Sequence, residues 1–196
     1  LISLTPTAFD ITTKSDIRLL VNCLDVLVVI PARYQSSRFP GKPLAKINGV
    51  PMILRVVRLV SEAVPASQVV VATDDKRIAA LCSEAGVRVA MTSASCATGT
   101  DRVCEAAQSV EAEIIVNVQG DEPLVQPEAI RAVVETKRKN SLAVINAMSR
   151  IDNVEDARNP NVPKAVVNEQ GELVYMSRAP IPFTKDAGFT GLYYRQ

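Results

Sequence analysis

Residues 28–44 read VVIPARYQSSRFPGKPL, and the rest of the chain is arranged around them. The apolar, β-branched run from Val26 to Ile30 stops at Pro31. A short run of this kind, bounded by turn residues, reads as a fully buried strand of an α/β sheet. Ligands of such sheets bind at the carboxyl ends of the strands. Arg33, Arg38 and Lys42 follow directly, with Ser36, Ser37 and the Pro40-Gly41 turn among them. Arginine offers planar bidentate contacts, lysine a point charge, and glycine a close backbone approach, so the loop suits a polyphosphate. A solvated basic loop is the plainer reading, but it does not explain cations placed between a buried strand and a glycine turn. The spacing is neither a Walker loop nor GxGxxG.

Working outward, the strand–helix alternation continues. Pro51 opens a helix with Met52, Ile53, Val56, Val57 and Val60 on one face. Val69 to Ala72 is a second strand, and Asp74 or Asp75 caps a helix that Gly86 ends. Val87 to Met91 is a third strand, followed by Thr98-Gly99-Thr100-Asp101-Arg102 and another helix. Ile114 to Val118 is a fourth, Pro127 begins the next helix, and Leu142 to Met148 is a fifth strand. The alternation predicts a mostly parallel sheet with helices on both faces, a three-layer α/β fold. After Ile151 the pattern changes: Lys164 to Val167 and Leu173 to Met176, joined through Gly171, predict an antiparallel hairpin near the C-terminus. Residues 1–24 show no clear pattern beyond a weak helical stretch from Ser15 to Cys23, and read as an N-terminal extension without assigned role. Residues 25–196 read as one domain.

Composition narrows the function classes. The 196 residues carry a net charge of +1, which gives no reason to expect nucleic acid or an anionic membrane as partner. Aromatics make up only 4% and tryptophan is absent, so the core is aliphatic, as α/β packing favours. The chain has no histidine, and Cys23, Cys82, Cys96 and Cys104 form no CxxC pair. That composition argues against a structural zinc site and against a histidine-dependent triad. Cys82 and Cys104 read as small core residues, and reduced thiols suit the cytoplasm. No apolar run is long enough to span a bilayer.

Among the loops at the strand ends, Gln119-Gly120-Asp121-Glu122 stands out. An acidic residue straight after a buried strand is a natural ligand for a hard cation. Opposite the triple-cation loop, Asp121 suggests a nucleoside triphosphate with its magnesium. Thr98, Gly99 and Thr100 could hydrogen-bond a base or ribose, although capping alone would account for Thr100 or Asp101. Arg178 follows the hairpin and could meet a substrate carboxylate.

These motifs resemble those of the 3-deoxy-manno-octulosonate (Kdo) cytidylyltransferases, the CMP-Kdo synthetases. The likeness runs from IPARYQSSRFPGKPL through ATDD (72–75), MTS (91–93) with TGTDR (98–102), and VNVQGDEP (116–123). It ends with NPN (159–161), Lys164 and YMSRAPIPF (175–183), all in family order. The resemblance implies a nucleotide-diphospho-sugar transferase fold and transfer of CMP from CTP to Kdo, with release of diphosphate, for lipopolysaccharide synthesis. It further implies that Arg33, Arg38 and Lys42, with Ser37, hold the triphosphate, that Thr98 and Gly99 lie against the cytidine, and that Asp121 holds Mg2+. Gln119 and Arg178 would contact the sugar acid, and a cytoplasmic homodimer is implied as well. Family members usually continue for some tens of residues, carrying a second acidic ligand. Their histidine before Gly-(Ile/Leu)-Tyr has no direct match: either Gly191-Leu192-Tyr193 is that motif with Phe189 in the histidine position, or Gln196 replaces the histidine. A cytidylyltransferase for 8-amino-Kdo or sialic acid, and a CTP-binding module without catalysis, are the alternatives.

Overall fold

A computed structural model describes residues 24–35, 39–181 and 193–195, the last three by their backbone alone. The predicted helical stretch before Leu24, Cys23, and the candidate residues Ser37, Arg38 and Gln196 lie outside them. The contacts separate into two compact units, one ending at Arg138 and one beginning at Lys139.

In the first unit, β1 (Leu24–Pro31), β4 (Val69–Thr73), β5 (Arg88–Met91) and β6 (Ala112–Asn117) form one parallel sheet in the order β5-β4-β1-β6. The chain moves outward from β1 to β4 and β5, then returns to pair β6 on the other side of β1. Strand order therefore reverses beside β1, the position where open α/β sheets hold their ligands. The apolar run of β1 is explained by burial on both faces. Val26, Val28 and Ile30 pack beneath helices α1 (Met52–Ser61), α2 (Lys76–Glu84) and α4 (Pro127–Lys139), through Ile53, Val56, Val60, Ile78, Cys82, Ile130 and Val134. Leu27 and Val29 pack on the other face against α3 (Gly99–Ala107), through Val103 and Ala106. The three-layer α/β reading is thus the observed architecture.

Between β1 and α1 lie a single 3-10 turn (Lys42–Leu44) and a two-residue hairpin, β2 (Lys46–Ile47) with β3 (Val50–Pro51), that the sequence reading passed over. Its signal was Asn48-Gly49, both at positive φ, the dipeptide that type I′ turns demand.

The second unit holds β7 (Ser149–Ile151), α5 (Val154–Arg158), β8 (Lys164–Val167), β9 (Leu173–Ser177) and β10 (Tyr193–Arg195), its sheet ordered β7-β10-β8-β9. The β8–β9 hairpin is antiparallel as predicted. Two expectations need correcting. Residues 142–148 form no strand: a turn at Ser141–Leu142 runs into coil, and Leu142 and Val144 are fully exposed. An apolar run becomes a strand only when a neighbour takes up its backbone groups, and among the described residues no ladder includes this one. Cys104 is exposed, because the inward face of α3 is Arg102, Val103 and Ala106, which lie about 100–160° round the helix from it. Cys82 is buried as predicted.

Candidate active site

Four loops meet the carboxyl edge of the parallel sheet. After β1 the backbone leaves at Ala32, whose N–H still bonds Ala72 O of β4 at 2.8 Å. Arg33 is exposed and makes no ion pair with a described residue. The loop closes at Gly41, whose N–H donates to Tyr34 O at 2.8 Å. Gly41 sits at φ 73°, and a Cβ there would lie 2.9 Å from the Tyr34 ring, so glycine is required twice over. Lys42 follows it.

After β6, Val118 N–H bonds Val29 O at 3.1 Å, holding the loop to β1. Gly120 is buried, and a Cβ on it would stand 2.7 Å from Pro31 O. That close approach lets the loop pass under the end of β1 and turn Asp121 toward Lys42. Lys42 Nζ and Asp121 Oδ2 are 2.6 Å apart across 79 positions of sequence. The cation loop and the acidic residue singled out in the sequence therefore face each other. The pair is 36% and 51% exposed, so its net worth is only about 0.2–1 kcal/mol.

Thr98 and Gly99 come in beside Gln119: a Cβ on Gly99 would rest 3.5 Å from Gln119 Oε1 and 3.5 Å from Pro31 Cγ. Gln119 Nε2 donates to Asn117 Oδ1 at 3.0 Å. Thr98 is the N-cap of α3. Its Oγ1 accepts from Asp101 N at 3.1 Å, and its own N–H donates to Asp101 Oδ2 at 2.8 Å, a reciprocal capping box. The cap is thus Thr98, rather than Thr100 or Asp101 alone. The hydroxyl and N–H of Thr98 hold the Asp101 carboxyl below its usual range.

Behind this edge lies Arg102, which the sequence reading noted only as the end of TGTDR. Its side chain is 3% exposed and spans to Asp74 Oδ2 at 3.2 Å and to Thr92 Oγ1. It ties the ends of β4 and β5 to α3. Asp75, not Asp74, caps α2, accepting from Arg77 N at 2.9 Å.

Arg178, the candidate sugar contact, stands exposed after β9 in the second unit. It donates to Pro160 O at 3.1 Å. Its backbone carbonyl accepts from Lys164 Nζ at 2.7 Å, and that buried ammonium also reaches Asn159 O and Val162 O. Burial lowers the Lys164 pKa, with the nearby Arg178 charge acting the same way.

The model of the cytidylyltransferase family matches residues 27–195. The chain belongs to that family. It is 45% identical over 164 residues to a 3-deoxy-manno-octulosonate cytidylyltransferase of Geobacter metallireducens, covering 83% of this chain and 65% of that protein. It is 47% identical over 166 residues to one of Tolumonas auensis, with the same two coverages. Among solved structures, a CMP:2-keto-3-deoxy-manno-octonic acid synthetase complexed with CTP superposes with a TM-score of 0.77. It is 35% identical, over 88% of this chain and 74% of the other. A cytidylyltransferase of Leptospira borgpetersenii superposes at 0.54 with 27% identity, over 61% of this chain and 51% of that one. The chain spans about two thirds of the length of the curated relatives it matches. The family match and the fold agree with the order of motifs along this sequence.

Proposed function

We propose that the protein transfers the cytidylyl group of CTP to the anomeric hydroxyl of Kdo, giving CMP-Kdo and diphosphate. The observation that carries this reading is the Lys42–Asp121 juxtaposition at the carboxyl edge where strand order reverses, with Gly99 and Gln119 beside it. The relatives' names and the CTP complex of the structural neighbour support the choice of nucleotide and sugar acid.

In this mechanism the sugar hydroxyl oxygen attacks the α-phosphorus as the bond from that phosphorus to the bridging β-phosphate oxygen breaks, and the hydroxyl proton passes to water or to the departing diphosphate. Such transfers ask the protein for alignment and positive charge rather than covalent chemistry, so the absence of histidine is no obstacle. Arg33, Arg38 and Lys42 hold the phosphate oxygens and offset the charge that moves onto the departing diphosphate. Thr98 and Gly99 abut the cytidine, Gln119 meets the sugar acid, and Arg178 and Gln196 contribute to the sugar side.

Asp121 is the residue that would hold Mg2+. Among the described residues no three acidic, cysteine or histidine groups cluster to form an all-protein cage. Magnesium fits such a place, because it is commonly held by one or two carboxylates with phosphates and water completing the shell. When bound it would supply charge neutralisation at the phosphates. Cytoplasmic location and homodimerisation belong to the same proposal. Among the described residues no helix is long and apolar enough to cross a membrane.

The test is diphosphate release by this chain with CTP, magnesium and Kdo, against controls lacking Kdo or offering its 8-amino analogue or sialic acid. Release dependent on Kdo, lost in Asp121→Ala with melting unchanged, is expected. Preference for another acid would reassign the substrate, and CTP binding without release would support a binding module.

A further inference from the structure

Tyr34 and Gly41 meet beside the start of the phosphate-side 3-10 turn, and a third residue holds one of them. The Gly41 N–H bonds the Tyr34 carbonyl, and the Tyr34 ring lies so close to Gly41 that even a methyl group is excluded. The Arg77 guanidinium stacks on that ring, its central carbon 3.3 Å from the centroid. Asp75 holds the guanidinium by two bonds, Nε to Oδ1 at 3.0 Å and Nη2 to Oδ2 at 2.6 Å. Asp75 in turn donates its N–H to Oγ1 of Thr73, the buried last residue of β4, at 3.1 Å. A continuous set of contacts therefore runs from the sheet, through Thr73, Asp75, Arg77 and Tyr34, to Gly41 and its neighbour Lys42.

We propose that Arg77 is a positioning residue: by clamping Tyr34 against Gly41 it sets where Lys42 meets the nucleotide's phosphates. The proposal rests on the CTP reading of the site. A helix-end ion pair alone would require only Asp75 and Arg77. The ring adds a planar surface suited to a guanidinium, and lysine cannot replace the bidentate, stacked group. Gly41 at positive φ, pressed on the same ring, makes the position of Gly41 and Lys42 depend on where that ring stands.

The experiment compares the wild-type chain with Arg77→Ala, Tyr34→Ala and Tyr34→Phe by two readouts: amide exchange at Gly41 and steady-state kinetics with CTP. Loss of an exposed stack and an exposed ion pair gives about a fivefold change. Arg77→Ala is expected to raise both Gly41 exchange and the KM for CTP about fivefold, with kcat within about twofold. Tyr34→Ala should do at least as much, and Tyr34→Phe, which keeps the ring, should match wild type. Gly41 exchange and KM both unchanged in Arg77→Ala would overturn the proposal. So would an equal rise in exchange at Val71 in the core, which would mean global loosening. If the wild-type chain neither binds nor turns over CTP while Gly41 exchange still responds to Arg77→Ala, the clamp stands and the nucleotide reading fails.

Discussion

Gly120→Ala is the sharpest test of how the site is assembled. Gly120 is buried and is not at positive φ, so alanine there carries no backbone strain and the cost is purely steric. The added Cβ would lie 2.7 Å from Pro31 O, 3.3 Å from Ile53 Cδ1 and 3.5 Å from Ile30 Cγ2. Close C···O contacts run at about 3.3 Å or more, so something must yield by about 0.6 Å. Pro31 ends the central strand, whose side chains are buried on both faces and whose backbone is hydrogen-bonded into the sheet, so it resists displacement. The loop from Gln119 to Glu122 must move instead. Overpacking of this kind costs about 1–3 kcal/mol, or roughly 2–10 °C in melting temperature for a unit of this size. A displacement approaching 1 Å at Asp121 costs up to about a hundredfold in turnover. Gly86→Ala is the control. Gly86 sits at φ 74° with nothing within 4 Å of a new Cβ, so alanine costs about 1–2 kcal/mol of left-handed strain without touching the site. The assay is Kdo-dependent diphosphate release alongside thermal melting. Gly120→Ala should lose at least tenfold in turnover, and Gly86→Ala should lose none at comparable destabilisation. Wild-type turnover in Gly120→Ala, or equal losses in both variants, would refute the argument.

Arg102→Ala should destabilise by about 2–4 kcal/mol, read from urea unfolding, since it leaves Asp74 without its buried partner while Asp74 retains some solvent. Burial pushes the Cys82 thiol up to about 11. Alkylation of the native protein at pH 8 should therefore modify Cys104 and spare Cys82 until unfolding, checked by peptide mass spectrometry. Asp75, Asp101 and Glu105 are all held below the usual carboxylate range, by Arg77, by Thr98, and by the Cys96 thiol with Ser93 N–H respectively. Their contribution is complete above the ordinary carboxylate pKa and is lost as pH falls through the lowered folded values. Melting temperature should drop on acidification below about pH 4, and Asp101→Asn should flatten part of that drop.

What could be read from the sequence and what could not divide along one line. β1, β4, β6 and the helices beneath them were legible because each carries its own periodic apolar signal, and burial rewards that signal wherever the element packs. The stretch from Leu142 to Met148 has the same composition, but strand formation depends on a partner that composition does not encode. β10 was missed for the converse reason. Tyr193–Arg195 has no pattern of its own, and its identity comes from pairing with β7 and β8. In the site, the opposition of Lys42 and Asp121 was legible from strand-end positions alone. Arg102 and Arg77 were not, since their contacts reach Thr92 and Tyr34 on other elements. In the sequence Gly120 is marked only by its place beside Asp121, whereas the structure uses it for close approach to Pro31.

Two ion pairs near the same edge of the sheet show how burial separates scaffold from site. Arg102 is shielded, at 3% exposure, and drawing Asp74 away to a ligand would strand the desolvated Arg102 charge. That pair therefore fixes the ends of β4 and β5 and stays closed. Lys42 and Asp121 are each more than one third exposed, and their mutual attraction is worth at most about 1 kcal/mol. A single hydrogen bond to a charged group contributes about 1.5–3 kcal/mol. A triphosphate oxygen on Lys42 and a cation on Asp121 would each exceed what the pair forgoes. Under the proposed function, the same geometry that brings the two side chains within 2.6 Å would hold a cation binder and an anion binder side by side at little cost to separate them, as a metal–triphosphate complex requires.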